Sequence, residues 1–207
     1  MLKLYSYQSS GNCYKVRLLL TQRDIPFQVR EIDAAAGEQR SPSHRARNPQ
    51  GRVPVVELED GTFLRESGAI LHYFAQDSPF WPENRRDQVA VLAWMFFEQN
   101  SHEPYIAGAR FVGRYIPAAE QDPKDLESKR RRGRAALKIM DEHLASRTFM
   151  AAGSYTIADI ALYAYTHVAG EAGLDLDDYA AVGAWLQRVA GQPGHIPITH
   201  LCPFLDP

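Results

Sequence analysis

The residues best suited to bind a ligand lie in one stretch, residues 48–70. Two runs rich in β-branched residues flank Asp60-Gly61, a dipeptide that suits a type I′ turn and therefore predicts a hairpin. Glu66-Ser67 follows directly before an apolar run, so Ser67 is placed to cap a helix. Because the first N–H groups of a helix lack partners and carry partial positive charge, this helix start can bind a carboxylate.

Val53-Pro54 opens the first strand of that hairpin. Proline has no N–H, so it is typical of a strand start or a sheet edge. If the bond is cis, Val53 turns its N–H and C=O outward, where an extended peptide can pair with them as an added strand. The stretch then offers one binding site for a peptide backbone and one for a carboxylate. An ordinary hairpin followed by a capped helix has the same sequence signature.

This order of motifs, Val-Pro, a hairpin and Glu-Ser at a helix start, resembles the glutathione site of the cytosolic glutathione transferase superfamily. The resemblance implies that Val53, which precedes the cis-proline Pro54, pairs with the cysteinyl backbone of glutathione. It also implies that Glu66 and Ser67 hold the γ-glutamyl end. The expected co-substrate is therefore glutathione, and no metal is implied.

Two further residues follow from the resemblance. Gln39 and Arg52 match the polar or basic residues that hold the glycyl carboxylate of glutathione. Arginine can grip a carboxylate with two parallel hydrogen bonds. The loop around Gln39 varies in length, and Arg52 as a solvated loop charge is the alternative.

The chemistry of this family is carried by the thiol of glutathione. A free thiol has a pKa of about 8.5, so only a few per cent is thiolate at neutral pH. Lowering that pKa by about 2 units requires about 2.7 kcal/mol of differential stabilisation. A hydroxyl or amide donor aimed at the sulfur, together with a helix N-terminus, can supply part of it.

The turn of residues 9–12 precedes a predicted helix and supplies such donors. Aligned through residues 15–17, Ser10 falls where serine-type members keep the hydroxyl that stabilises the thiolate. Asn12 falls where some bacterial members place an asparagine against the sulfur. Ser9 competes for the same role, and a plain helix cap is the alternative for Ser10.

Cys13 is a second candidate for thiol chemistry. It lies in the first helical turn, where thiol pKa values can fall. Cysteine-type members, however, carry their cysteine at the position of Ser10, three residues earlier. Because buried cysteines are commonly inert, we expect Cys13 to pack in the core and keep a redox role as the alternative.

The electrophile that accepts the sulfur should bind over it, between the two domains, as the resemblance implies. Helical spacing in residues 98–115 brings His102 and Tyr105 to one face, with Phe111 further along, so we expect these three residues in the acceptor pocket. Core or dimer-interface packing is the alternative for Tyr105 and Phe111. A lone histidine such as His102 is more often a polar network residue.

The elements that position these residues follow from periodicity. Strands over residues 2–7 and 27–32 enclose a helix that begins at Cys13, which is a β-α-β unit. A short helix over residues 42–47, the hairpin and a helix over residues 67–76 complete the order β-α-β-α-β-β-α. This predicts an α/β thioredoxin-like N-terminal domain, followed by an all-α C-terminal helical domain.

The predicted boundaries are residues 1–76 for the thioredoxin-like glutathione-binding domain, 77–86 for a Pro-rich linker and 87–207 for the helical domain. Pro104 should break the first long helical stretch. Asp122-Pro123 predicts another helix start. Thr156 and Asp159 form a capping-box variant with a structural role.

Composition excludes several classes of function. The chain has 207 residues and a net charge of −2, so nothing recruits nucleic acid or an anionic membrane globally. No signal-peptide pattern and no apolar run of about 20 residues is present. Cys13 and Cys202 provide neither a disulfide framework nor a metal cluster. We therefore expect a cytoplasmic protein with reduced thiols.

The expected function is a homodimeric glutathione transferase with a role in detoxification, which attacks small electrophiles with the bound thiolate. The same thiolate could reduce peroxides or disulfides. The alternatives are a glutathione-dependent oxidoreductase that uses Cys13 and a non-catalytic interaction module with the same fold. The dimer expectation rests on the apolar run Trp94–Phe97, which cannot all face one small core.

Overall fold

The computed structural model of the chain describes residues 1–203. The chain forms two compact units. The first contains Met1–Gln76 together with the described residues from Pro193 onward, and the second is Asp77–Gln192. Within residues 1–203 no helix combines the length and the apolar character that crossing a membrane requires.

The first unit is built on a mixed four-stranded sheet with the order β2-β1-β3-β4. The strands are β1 (Leu2–Ser6), β2 (Phe27–Glu31), β3 (Val55–Glu57) and β4 (Phe63–Arg65). β1 and β2 run parallel, whereas β3 is antiparallel to both β1 and β4. The parallel pair needs a crossover, and helix α1 (Gly11–Gln22) supplies it.

The other helices of this unit are α2 (Pro42–Arg47) and α3 (Ser67–Ala75), with a 3₁₀ turn over Glu38–Arg40. The predicted order β-α-β-α-β-β-α is confirmed. Helix α1 begins two residues earlier than the apolar pattern predicted, because Ser10 caps it in an extended conformation.

The hairpin between β3 and β4 has a different turn from the predicted type I′. Gly61 has a φ of 85°, but Asp60 is not among the residues with positive φ. The connection is five residues long: the amide of Leu58 donates to the carbonyl of Thr62 at 2.9 Å. Because the loop is longer than two residues, only Gly61 needs the left-handed conformation. The carboxylate of Asp60 accepts the Thr62 amide at 2.8 Å.

The second unit is helical. Its α-helices are α4 (Arg85–Phe97), α5 (Glu103–Tyr115), α6 (Pro123–Leu144), α7 (Ile157–Thr166) and α8 (Ala180–Ala190), with 3₁₀ turns over Ala118–Glu120 and Ala169–Ala172. The fold class predicted from the sequence is confirmed for both units. Helix α4 begins inside the segment that we predicted to be a linker.

The predicted break at Pro104 takes the form of a π-helical turn. This turn, Glu98–His102, joins α4 to α5, and Pro104 lies in the first turn of α5. Proline is tolerated there because an N–H at that position would lack a helical partner in any case. The long helical stretch that we expected Pro104 to break is therefore two helices joined by the π turn.

The tail, residues 193–203, packs on the first unit, although we assigned it to the helical domain. The hydroxyl of Tyr14 donates to the carbonyl of Ile196 at 2.7 Å. The amide of Val29 in β2 donates to the carbonyl of Pro203 at 2.8 Å. Since β2 is an edge strand, this bond satisfies a main-chain donor that the sheet leaves exposed.

Candidate functional site

Ser10 stands at the N-terminus of α1. Its side-chain oxygen accepts the amide of Cys13 at 3.3 Å, and its own amide donates to the carbonyl of Tyr7 at 3.0 Å. These bonds fix the turn that follows β1. A hydroxyl that accepts one hydrogen bond still carries a proton to donate, so Ser10 can both cap the helix and serve a ligand.

Cys13 points into the first unit. Its side chain is fully buried, and its Sγ accepts the amide of Tyr7 at 3.3 Å. Burial raises the pKa of the Cys13 thiol above its usual range, against the smaller opposing effects of nearby hydrogen bonds. A buried thiol with a raised pKa is a poor nucleophile, so the arrangement disfavours the redox alternative.

Asn12 links α1 to α3 through its side-chain oxygen. Asn12 Oδ1 accepts Ser67 Oγ at 3.3 Å and Lys15 Nζ at 2.7 Å. Ser67 is 6% exposed and Lys15 is 1% exposed. Two of the predicted site residues, Asn12 and Ser67, are therefore in direct contact although 55 positions separate them.

Ser67 does not cap α3 as predicted. Glu66 occupies the N-cap position, and Ser67 is the first helical residue. Glu66 has a φ of 65°, a region that a residue with a Cβ seldom adopts. This conformation brings the Ser67 hydroxyl against Asn12 and leaves Glu66 exposed. Backbone strain of this kind is typical of ligand-binding positions.

The backbone of Gln39 lies close to Gly51, the residue that precedes Arg52. A Cβ on Gly51 would meet the carbonyl oxygen of Gln39 at 2.9 Å, and the φ of Gly51 is 64°. A side chain there would therefore clash as well as strain the backbone. Arg52 is exposed, and no acidic residue within residues 1–203 forms an ion pair with it. Its guanidinium is available to a carboxylate.

His44 and Asn48 hold the backbone next to Arg52. The carbonyl of Arg52 lies 3.0 Å from His44 Nε2 and accepts Asn48 Nδ2 at 3.0 Å. His44 is 1% exposed and Asn48 is 3% exposed. Sequence reasoning missed both residues. The only signal available to it was two polar side chains at a spacing of four residues around the end of α2.

Val53 and Pro54 lead into β3, and the bond between them is cis. Val55 pairs with Arg65 in the antiparallel ladder of β3 and β4. The start of β3 therefore lies beside the end of β4, which leads into α3. Within residues 1–203 the N–H and C=O of Val53 have no hydrogen-bond partner, so an added strand can pair with them.

The register with β1 brings Ser10 to the same place. Val55 also pairs with Tyr5, so the start of β3 lies beside the end of β1 as well. The carbonyl of Tyr7 accepts the amide of Ser10. The Ser10 turn, the open backbone of Val53 and the start of α3 therefore lie at one end of the sheet.

The three residues predicted for the acceptor pocket all lie in the second unit. His102 is fully buried, and its Nε2 lies 2.8 Å from Thr166 Oγ1, which identifies it as part of an internal network. The Tyr105 hydroxyl accepts Arg132 at 2.7 Å. Phe111 is 55% exposed. Phe111 is open to solvent and Tyr105 is half-buried, whereas the buried side chain of His102 cannot contact a ligand.

Lys15 is a buried neighbour of Asn12 that sequence reasoning used only as an alignment anchor. It lies in α1 among buried apolar residues and is itself buried. A cation in the middle of an apolar helix was the available signal, because a buried charge must have a partner. No group of three or more metal-ligating side chains occurs within residues 1–203.

Two family models match the chain. Glutathione S-transferase, N-terminal domain, matches residues 4–84, and Glutathione S-transferase, C-terminal domain, matches residues 109–193. The solved glutathione S-transferase from Pseudomonas fluorescens Pf-5 is 44% identical, with a TM-score of 0.93 over 96% of this chain and 99% of that one. This chain belongs to the glutathione S-transferase family. The resemblance stated from the sequence is confirmed.

Other proteins to which the chain is similar have diverse names. Protein URE2 from Meyerozyma guilliermondii is 33% identical over 51% of this chain and 38% of its own length. The match therefore takes in well under half of that protein. The disulfide-bond oxidoreductase YfcG from Escherichia coli is 24% identical over 93% of this chain and 92% of its own length. Family membership alone does not select one reaction.

Proposed function

We propose that this chain is a glutathione transferase that binds glutathione in its first unit and activates the thiol for attack on small electrophiles. One observation supports this proposal most strongly. One end of the sheet holds Ser10, the contact between Asn12 and Ser67, and the open backbone of Val53. This end offers a hydroxyl donor, an amide, a helix N-terminus and a main-chain pair, which together match the groups of a thiol-containing peptide.

Glutathione would bind by its three parts. The backbone of its cysteinyl residue would pair with Val53 as a short added strand. The exposed carboxylate of Glu66 suits the ammonium of the γ-glutamyl end, and Ser67 with the first amides of α3 suits its carboxylate. Arg52 and Gln39 would hold the glycyl carboxylate, because a guanidinium can donate two parallel hydrogen bonds.

The reaction needs a thiolate at neutral pH. The Ser10 hydroxyl and the N-terminus of α1 would stabilise the charge on the sulfur, so the thiol proton is lost to solvent. The sulfur then donates an electron pair to the electrophilic carbon, which forms a C–S bond and expels a leaving group with its electrons. Tyr105 and Phe111 are our candidates for contact with the electrophile, with His102 as an internal support.

A second candidate function is reduction of disulfides by the same bound thiolate. The name of the YfcG relative favours it. It does not need Cys13, which is buried. A non-catalytic interaction module with the same fold is a third candidate. An interaction module would not need an Arg52 without an ion pair or an unpaired Val53 backbone, and the described part of the chain has both.

We also propose a cytoplasmic homodimer. Met95 of α4 is buried, but Val89 and Phe96 on the same helix are 66% and 64% exposed. They are seven residues apart, so they form one apolar stripe two turns long. A second copy of the chain is the occupant that family membership favours. The cytoplasm keeps glutathione reduced, which the reaction requires.

The test compares Ser10→Ala, Asn12→Ala and Cys13→Ala. The pKa of bound glutathione is read from thiolate absorbance against pH, and conjugation is followed with a nitro-activated aryl halide. Ser10→Ala should raise that pKa and lower kcat/KM by about 10- to 100-fold, the effect of losing a hydrogen bond worth about 1.5–3 kcal/mol. Cys13→Ala should leave conjugation nearly unchanged.

Two results would overturn the assignment. Loss of activity in Cys13→Ala with retention in Ser10→Ala would replace it with the redox function. A rise in pKa in Asn12→Ala alone would move the catalytic role from Ser10 to Asn12. Failure of the wild-type protein to bind glutathione-agarose would favour the interaction module.

A further inference from the structure

Lys15 has an unusual position for a lysine. It lies in the second turn of α1 and is 1% exposed, so its ammonium is shielded from water. Burying an ammonium group is costly unless strong acceptors replace its hydration. One acceptor is Asn12 Oδ1, at 2.7 Å from Lys15 Nζ.

The contact determines which way the carboxamide of Asn12 faces. An ammonium has donors but no acceptor, so only the oxygen end of the amide can face Lys15. The same oxygen accepts Ser67 Oγ at 3.3 Å, so both of its lone-pair directions are in use. Turning the amide over would set its NH₂ group against the ammonium of Lys15, which has no acceptor. The oxygen of Asn12 therefore faces Lys15 and Ser67, and its nitrogen faces away from them.

We propose that Lys15 is a positioning residue that fixes the carboxamide of Asn12 so that its NH₂ group donates to the sulfur of bound glutathione. The proposal rests on the proposed glutathione site. Asn12 supplies the second donor beside Ser10, and Lys15 acts through it. The ammonium also draws electron density toward Asn12 Oδ1, which strengthens the N–H groups as donors.

The main variant is Lys15→Met. Methionine is apolar and close to lysine in length, so it fills a similar space without the charge. A purely structural role for Lys15 would change the free energy of unfolding without raising the pKa of bound glutathione. Lys15→Arg is the conservative rescue, because a guanidinium is also a cation with donors only.

The first measurement needs no glutathione. The side-chain NH₂ signals of Asn12 are assigned in a ¹⁵N–¹H spectrum by their loss in Asn12→Ala. In Lys15→Met these signals should shift and their protons should exchange faster with water, because the amide is no longer fixed. In Lys15→Arg they should return toward the wild-type positions. Unchanged signals in Lys15→Met would overturn the proposal, whether or not the protein binds glutathione.

The second measurement is a double-mutant cycle on the pKa of bound glutathione. Lys15→Met should raise this pKa by about one unit, a tenfold loss of thiolate at neutral pH. Because Lys15 acts through Asn12, the substitution should have no further effect in the Asn12→Ala background. Additive effects of the two substitutions would overturn the proposal.

Asn12→Asp provides a test that is valid even if the Lys15→Met protein does not fold. Aspartate keeps the oxygen that faces Lys15 but lacks the NH₂ group. The pKa of bound glutathione should rise in this variant, and a wild-type value would overturn the proposal. If wild-type protein binds no glutathione, the proposed function fails, and the amide signals still decide the orientation.

Discussion

Asp159 gives a prediction whose magnitude follows from its surroundings. It is fully buried in the helical unit, at the start of α7. Its oxygens accept the amide of Met150 at 2.9 Å, the indole N–H of Trp185 at 2.9 Å and the amide of Thr156 at 3.0 Å. The Thr156 hydroxyl donates as well, at 3.2 Å.

Burial dominates the ionisation of this carboxyl. It raises the pKa of Asp159 from 3.8 to about 6, against the donors, which favour the charged form. The folded protein therefore holds the proton more tightly than the unfolded chain. Stability from this group is fully present below about pH 4 and is lost as the pH rises through 6. A difference of about 2 pKa units corresponds to about 3 kcal/mol.

Asp159→Asn removes the titrating carboxyl and keeps the volume of the side chain nearly unchanged. The free energy of unfolding is measured by urea denaturation at several pH values from 4 to 7. The wild-type value minus the value for Asp159→Asn should fall by about 3 kcal/mol across this range, since other groups titrate in both proteins. Asp178→Asn, at an exposed position of the same unit, is the matched control substitution.

A difference that stays flat or rises with pH for Asp159→Asn would refute the reasoning. It would mean that the four donors outweigh the cost of burial and keep the carboxylate charged. The capping box would then contribute most at neutral pH.

Three further predictions follow from other parts of the structure. Cys13 should resist alkylation by iodoacetamide at neutral pH until the protein is unfolded in urea, because the thiol is buried and its pKa is raised. Rapid modification of the folded protein would contradict this expectation. A chain that ends after Gly194 lacks the acceptors of donors such as the Tyr14 hydroxyl. Each lost hydrogen bond should lower the free energy of unfolding by about 1–3 kcal/mol. An unchanged urea midpoint would exclude this contribution of the tail. Sedimentation of the wild-type protein should give about twice the 23.3 kDa chain mass. Phe96→Glu and Val89→Glu, each at an exposed apolar position, should give monomers. A monomeric wild type would reject the dimer.

Much of the fold could be predicted because local signals agreed with tertiary structure. Asp122 with Pro123 predicted the start of α6, and the capping box of Thr156 and Asp159 predicted the start of α7. Each of these signals depends on residues within one helical turn, so contacts with the rest of the fold change the helix start little.

The candidate site was less predictable because it depends on contacts between distant residues. The positive φ of Glu66 shifts the helix start by one residue, and a glutamate gives no local sign of it. The pairing of Ser67 with Asn12 and the burial of Lys15 depend on how α1 and α3 pack on the sheet. The tail was misassigned because its main-chain pairing with β2 leaves no periodic pattern.

The central claim is that the first unit binds glutathione with Ser67 at the carboxylate of the γ-glutamyl end. Isothermal titration calorimetry of glutathione into the wild-type protein, Ser67→Ala and the exposed control Ser146→Ala tests it directly. We expect one glutathione to bind per chain. Ser67→Ala should weaken binding by about 1–2 kcal/mol, roughly 5- to 30-fold, and Ser146→Ala should not change it. No binding by the wild type, or equal affinity in Ser67→Ala, would contradict the account.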